Sequence, residues 1–151
     1  MSVETLIAPM LAAPIFANLR PGQLKTLALS SDRVLFPSGS VLIETGQHGD
    51  TSFLIVAGHI QFQPDGPGAQ VSLSGPGTVV GELAMLTEVV HRSTVQAYDD
   101  VRALSFGRAL MHELFSQDPD LAEHFIGILS DRLKQFATEL KAAQAALQTA
   151  A

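Results

Sequence analysis

Gly81-Glu82-Leu83-Ala84-Met85-Leu86, followed after a short loop by His91-Arg92-Ser93-Thr94-Val95, is the stretch on which the reading of this chain turns. A glycine opens a short apolar helical turn, so several backbone N–H groups without helical partners can point at one spot. Such orphan donors, with the positive end of the helix dipole, suit a phosphate. The Glu82 carboxylate sits beside them and suits sugar hydroxyls. A cationic pair, His91-Arg92, returns a few residues later. Carboxylate, N–H groups and cation together fit a ribose phosphate.

Around this stretch, from Val34 to Phe106, short β-prone runs alternate with turn residues. Val34–Phe36, Val41–Ile43, Phe53–Val56, Ile60–Phe62, Val71–Leu73, Val79–Val80, Thr94–Ala97 and Val101–Phe106 read as strands. Strands so short and so regularly punctuated by glycine predict a small sandwich or barrel. Pro64 to Gly68 reads as a hairpin tip. Upstream, Ser2 to Ser31 is helical in pieces broken by Pro14 and Pro21. Leu24, Leu27 and Ala28 share a face there, Pro21 starts their helix, and Phe16 and Leu19 anchor the segment.

Downstream of Gly107 the chain turns helical again. Ala109 to Phe115 predicts a short helix, and Asp118-Pro119 supplies an N-cap followed by proline at the first helical position. The helix they start runs to about Leu147. Leu129, Leu133, Phe136, Leu140, Ala143 and Leu147 alternate in steps of four and three, a heptad seam of about two and a half repeats. Its first part is expected to pack on the chain's own sandwich. Beyond it, Phe136, Leu140 and Leu147 are expected to meet a second copy in a homodimer. The Ala/Gln-rich tail from Ala142 reads as a frayed helix end.

Composition narrows the function. The 151 residues are 46% hydrophobic and 16% charged, which is globular rather than disordered. A net charge of -6, with nine scattered Lys and Arg, argues against nucleic acid as a partner. The absence of cysteine excludes disulfides, thiol catalysis and Cys-based zinc sites. His48, His59, His91, His112 and His124 show no metal-ligand spacing. Asp99-Asp100 reads as a turn between strands, and Ser93 has no candidate base other than His91. No catalytic residue, metal site or prosthetic group is therefore expected. The apolar run Leu6 to Phe16 is broken by Pro9 and Pro14 and has no preceding Lys or Arg, so it is no signal peptide. No stretch is long enough to span a membrane. The expected location is the cytoplasm.

The order of helices, glycine-punctuated β-roll, G-E-L-A turn, H-R-S-T-V stretch and long final helix resembles the cyclic-nucleotide-binding domain. That family includes sensor domains of catabolite-activator-type regulators, regulatory subunits of protein kinase A and nucleotide-gated channels. Gly39, Gly46, Gly58, Gly77 and Gly81 match its turn glycines, and Gly77-x-x-x-Gly81-Glu82-Leu83-Ala84 matches its phosphate-binding cassette. The similarity runs from Phe16 to about Leu140. It implies one domain over residues 1–151, mainly β: helical over 1–31, a double-stranded β-helix or jelly roll over 32–106, and C-terminal helices over 107–148. The ligand implied is a cyclic nucleotide, cAMP before cGMP. Glu82 would take the ribose 2′-hydroxyl, and the N–H groups of Leu83 and Ala84 would cap the phosphate. Gln135 and Thr138 on the final helix would be the purine contacts.

The family's phosphate arginine falls at a position this chain fills in two ways. Counted without gaps from Gly81, the slot ten residues on is His91, with Arg92, Ser93 and Thr94 following. The register of bacterial members with a cassette loop one residue longer puts Arg92 and Ser93 in that pair instead. Strand parity favours His91. With Val95 and Ala97 facing inward and Gln96 outward, His91 and Ser93 share the inner face and Arg92 points out. A bulge before Val95 reverses this. The chemistry differs, because arginine binds phosphate bidentately and keeps its charge, whereas a neutral imidazole offers one hydrogen bond. With no DNA-binding, kinase or channel segment after Leu147, the expected output is an unidentified protein effector in trans. The alternative is a degenerate member that binds no nucleotide and serves as an interaction or dimerisation module.

Overall fold

The computed structural model describes residues 3–63 and 71–149, with the side chains of Val3, Phe136 and Thr149 outside the description. The hairpin tip expected at Pro64 to Gly68 lies outside it as well. Three helices, α1 (Val3–Ala12), α2 (Pro14–Ala17) and α3 (Pro21–Ser30), precede the strands. The strands are β1 (Asp32–Phe36), β2 (Val41–Ile43), β3 (His48–Gly49), β4 (Thr51–Ala57), β5 (Ile60–Phe62), β6 (Ser72–Ser74), β7 (Val79–Val80), β8 (Val89–Val90), β9 (Val95–Ala97) and β10 (Val101–Gly107). A 3₁₀ turn, Glu82–Met85, separates β7 from β8. Helices α4 (Arg108–Gln117) and α5 (Pro119–Thr149) close the chain. The tail expected to fray from Ala142 continues α5.

The strands pair antiparallel in two four-stranded sheets, β1-β10-β4-β7 and β2-β9-β5-β6, with a separate ribbon β3-β8. These form the β-roll expected from the sequence, and its core lies on both faces of the first sheet. Side chains alternate along β4, so Phe53 and Ile55 point into the roll and Leu54 points to the helices. Inside the roll, Ile55 and Ile60 pack with Val80, Val95, Ala97, Val101 and Ala103. On the other face Phe16 of α2 lies between Phe106 and Phe125, at centroid distances of 5.4 and 5.7 Å. One aromatic group thus joins α2, β10 and α5. Leu24, Leu27 and Ala28 are buried in the same layer, as their helical spacing predicts, and Leu19 is buried there as the expected anchor.

Two polar links fix where α5 begins. Asp118 accepts the Leu121 N–H at 3.2 Å, the capping bond its position before Pro119 foretold. Its other oxygen accepts from Gln23 of α3 at 3.0 Å, and this hydrogen bond is the chief reason its carboxyl titrates below the ordinary aspartate value. His124 donates to the Ile15 carbonyl at 2.7 Å, so the first turns of α5 are fastened to α2.

The five glycines matched to the family's turns, Gly39, Gly46, Gly58, Gly77 and Gly81, are those with positive φ among the described residues. The ribbon β3-β8 went unforeseen. Its partners, His48 with Val90 and Gly49 with Val89, are two residues long and carry no alternation to read.

Candidate functional site

Val79 and Val80 run along β4, and the Ser52 hydroxyl donates to the Val80 carbonyl at 3.1 Å from a fully buried position. The next residue, Gly81, sits at φ 72° and ψ 38°, the left-handed region that a side chain disfavours. The chain reverses there into the 3₁₀ turn. Ala84 and Met85 are buried beneath it, which presses the turn onto the core. Ala84, Leu86 and Thr87 donate their N–H groups to Gly81, Leu83 and Leu83 carbonyls, at 3.0 to 3.1 Å. The Ala84 N–H is thus engaged within the turn. Those of Glu82 and Leu83, its first positions, have no acceptor inside it.

A cavity of about 660 Å³ opens beside this turn, a size usual for small-molecule sites. One wall is the cassette, with Gly81, Glu82 and Leu83. A second is the chain from Val89 to Ser93, and a third is α5, through Leu129, Arg132 and Leu133. Ile43 and Phe62 extend the apolar lining. Of the residues singled out in the sequence, Gly81, Glu82, Leu83, His91, Arg92 and Ser93 line this one volume. Ala84 and Thr94 do not. The Thr94 hydroxyl is turned to Thr45, accepting its N–H at 3.1 Å and meeting its hydroxyl at 3.1 Å. Gln135 and Thr138 also lie outside the lining, and Thr138 bonds back to the Lys134 carbonyl.

The cation pair has its own geometry. His91 continues from β8, with its N–H on the Gln47 carbonyl at 2.9 Å and its own carbonyl accepting from Gly46 at 2.8 Å. Its half-buried ring lies against Gly49, whose missing side chain leaves the space: a Cβ there would stand 2.3 Å from Nε2. Arg92 is exposed and Ser93 half-buried, and together they form a bend between β8 and β9. Strand alternation holds from Val95 to Ala97, both buried around half-buried Gln96, and stops at the bend. His91 and Arg92 therefore both reach the cavity lining.

Arg132 was not foreseen. Its guanidinium donates to Glu82, so the cassette carboxylate is ion-paired to α5. Sequence offers one signal for it, a cation on the same helical face as Leu129 and Leu133. The remaining histidines are tied to structure: His48 to Glu88 at 3.1 Å, His59 to Asp99 at 2.8 Å, His112 to the Leu86 carbonyl at 2.9 Å. Among the described residues no group of three or more His, Asp or Glu could hold a metal ion, and no helix is long and apolar enough to cross a membrane.

The roll thus holds its cavity between a glycine-opened turn and α5. Residues 33–118 match the cyclic nucleotide-binding domain, and the chain belongs to that family. It is 26% identical over 126 residues to a CRP-like cAMP-activated global transcriptional regulator of Mycobacterium tuberculosis, covering 82% of this chain and 56% of the regulator. It is 32% identical over 114 residues to a cyclic nucleotide-gated potassium channel of Mesorhizobium japonicum, covering 76% of this chain and 31% of the channel. The chain thus spans about half, or less, of these curated relatives. In fold it is similar to the N-terminal domain of a transcriptional regulator from Streptomyces coelicolor A3(2), with TM-score 0.78 and 21% identity over 87% of this chain and 94% of that one. Against the Thermus thermophilus catabolite activator protein the TM-score is 0.73, with 25% identity over 87% and 63%.

Proposed function

We propose that this chain is a regulatory module that binds a cyclic nucleotide, cAMP in the first place, in the cavity between the cassette and α5. The observation that carries the reading is convergence: a carboxylate, a glycine-opened turn whose first two N–H groups have no acceptor inside it, a histidine, an arginine and a serine all line one volume. Glu82 takes the ribose hydroxyl, and the Glu82 and Leu83 N–H groups take phosphate oxygens. His91 or Arg92 supplies the opposing donor beside Ser93. Leu129 and Leu133 form an apolar wall for the base, a role that Gln135 and Thr138 are badly placed to share. The cAMP-activated regulator and the nucleotide-gated channel among its relatives favour the same ligand class.

Calorimetric titration with cAMP and cGMP tests the reading directly. Binding is expected, and silence at millimolar concentrations of both would sink it in favour of a pure interaction module. The variants His91→Ala and Arg92→Ala then separate the two registers. A histidine contact predicts affinity that rises as pH falls, whereas an arginine contact predicts a flat profile from pH 6 to 8.

The readout in this proposal runs through α5. Ile126, Leu133, Leu140 and Leu147 fall at seven-residue steps and are 53%, 53%, 51% and 74% exposed, while Leu129 is buried in the chain's own core. Apolar residues at that period on one helix fit a second copy, with an effector protein engaged in trans. The side chain of Phe136, expected in the same seam, lies outside the described residues. Sedimentation of a chain ending at residue 136 is expected to show a monomer where the whole chain shows a dimer. A dimer that survives the truncation would place the seam elsewhere.

A further inference from the structure

A second cavity, of about 310 Å³, opens on the helix side of the first sheet and shares no lining residue with the cassette cavity. Its floor is apolar: Leu6 of α1, Val56 of β4 and Leu104 of β10 pack in the core beneath the helices. Leu35 of β1 carries that surface outward and is exposed. The polar side chains in the lining are two, Arg33 and Arg102. Arg33 stands opposite Leu104 across β1 and β10, and Arg102 stands opposite Leu35. Opposed residues share a face, so the two arginines lie on one diagonal of it, about 7–8 Å apart, with leucines on the other. The backbone is irregular at the same place. Ala103 pairs with Ile55 but Arg102 with Ala57, which leaves Val56 as an extra residue in β4. Such a bulge breaks the ladder locally and re-aims the side chains around it.

Two cations so placed repel each other, and neither guanidinium has an ion pair or a hydrogen bond among the described residues. Charge on an edge strand discourages further pairing, which accounts for Arg33 on β1. It does not account for Arg102, whose strand is flanked by β1 and β4. From this placement we infer that the cavity binds an acyl carboxylate, a small monoanion with a short apolar chain. Its two oxygens are shared between Arg33 and Arg102, whose planar forks match a carboxylate. Its chain lies over Leu104, Val56 and Leu6. The lining offers no hydroxyl, amide or carboxylate side chain. A ligand with several polar groups would leave them unpaired there, whereas one anionic head on an apolar body leaves none. The site is independent of the nucleotide reading, and a chain that ignored cAMP would still have it.

The test uses the full chain, titrated calorimetrically with octanoate, hexanoate, acetate and octanol at millimolar concentrations. Octanoate is expected to saturate, and to bind about three- to fifteenfold more tightly than hexanoate through its two further methylenes. Acetate, a head without a chain, and octanol, a chain without a charge, are each expected to bind more weakly than either acid. Arg33→Gln and Arg102→Gln are each expected to lower octanoate affinity about two- to fivefold, the scale of an exposed charge pair. Lys141→Gln, the same loss of charge on the far part of α5, is expected to leave it unchanged. No saturable octanoate binding would overturn the assignment. So would octanol or acetate binding as tightly as octanoate, which would remove the head or the chain from recognition. Affinity unchanged in both arginine variants would put the acid elsewhere on the molecule, and an equal loss in Lys141→Gln would reduce the effect to net charge; either result also overturns it.

Discussion

Gly49→Ala isolates the packing of His91 without touching His91. Gly49 pairs with Val89 in the β3-β8 ribbon, is buried, and lies outside the positive-φ set, so its backbone accepts alanine without strain. The new Cβ would lie 2.3 Å from His91 Nε2 and 2.5 Å from Cε1, where non-bonded heavy atoms rest at about 3.5 to 4 Å. The imidazole must move by more than about 1 Å. Overpacking of this sort costs about 1–3 kcal/mol. With the ring removed first by His91→Ala, the same glycine substitution should be near neutral, or stabilising by about 0.4–1 kcal/mol through the unfolded chain. A double-mutant cycle in urea, followed by circular dichroism, should therefore return a coupling of about 1–3 kcal/mol. Additivity to within about 0.5 kcal/mol would show that the ring does not rest on Gly49 and would refute the reasoning. The same four proteins bear on the site. Gly49→Ala should lower cAMP affinity as His91→Ala does if the imidazole holds the phosphate, and neither should matter if Arg92 holds it.

Two further expectations follow from the fold. Gly58 and Gly46 have nearly the same φ, 87° and 86°, but a Cβ on Gly58 would stand 2.2 Å from the Asp100 carbonyl oxygen while one on Gly46 meets open space. Gly46→Ala should cost about 1–2 kcal/mol for the left-handed backbone alone, and Gly58→Ala about 1–3 kcal/mol more; equal urea midpoints would contradict the geometry. Asp99, held low chiefly by the hydrogen bond from the His59 side chain, and Asp118, held low chiefly by Gln23, both titrate below their ordinary range. A depressed folded-state carboxyl contributes stability that is present above the unfolded value of about 4 and lost as pH falls through the folded one. Asp99→Asn and Asp118→Asn should each flatten the fall in Tm below about pH 4; an acid limb as steep as wild type in both would show that these pairs carry none of it.

The parts of this chain legible in advance are those whose signal is local. Val41–Ile43, Ile60–Phe62 and Val79–Val80 emerge with the boundaries their β-branched runs suggest, because each is bounded by glycine or polar turns. Asp118-Pro119 marks the start of α5 because capping is a matter of adjacent residues. The cassette is legible for the same reason, Gly81 and Glu82 being neighbours in one turn. What sequence does not expose is contact across distance. His48 and Gly49 become a strand only because Val89 and Val90 lie beside them. The bend at Arg92-Ser93 ends the alternation that parity arguments rely on, and nothing in those two side chains announces it. Arg132 meets Glu82 only after the roll and both final helices are in place. Helical periodicity places Arg132 on a face; it does not say what stands opposite.

One proportion in α5 has a mechanical meaning. The helix is held at Leu121, Phe125 and Leu129, which are buried, and from there twenty residues extend to Thr149. At the helical rise that is an arm of about 30 Å, whereas Arg132 lies only about 4.5 Å beyond the last buried leucine. A lever with those two lengths multiplies displacement roughly sevenfold. A sideways shift of about 0.7 Å at the position of Arg132 becomes about 5 Å at the far end, about half the width of a helix. The exposed leucines ride on that long arm, so a tilt too small to disturb the packing of the roll carries Leu140 and Leu147 sideways by several times as much.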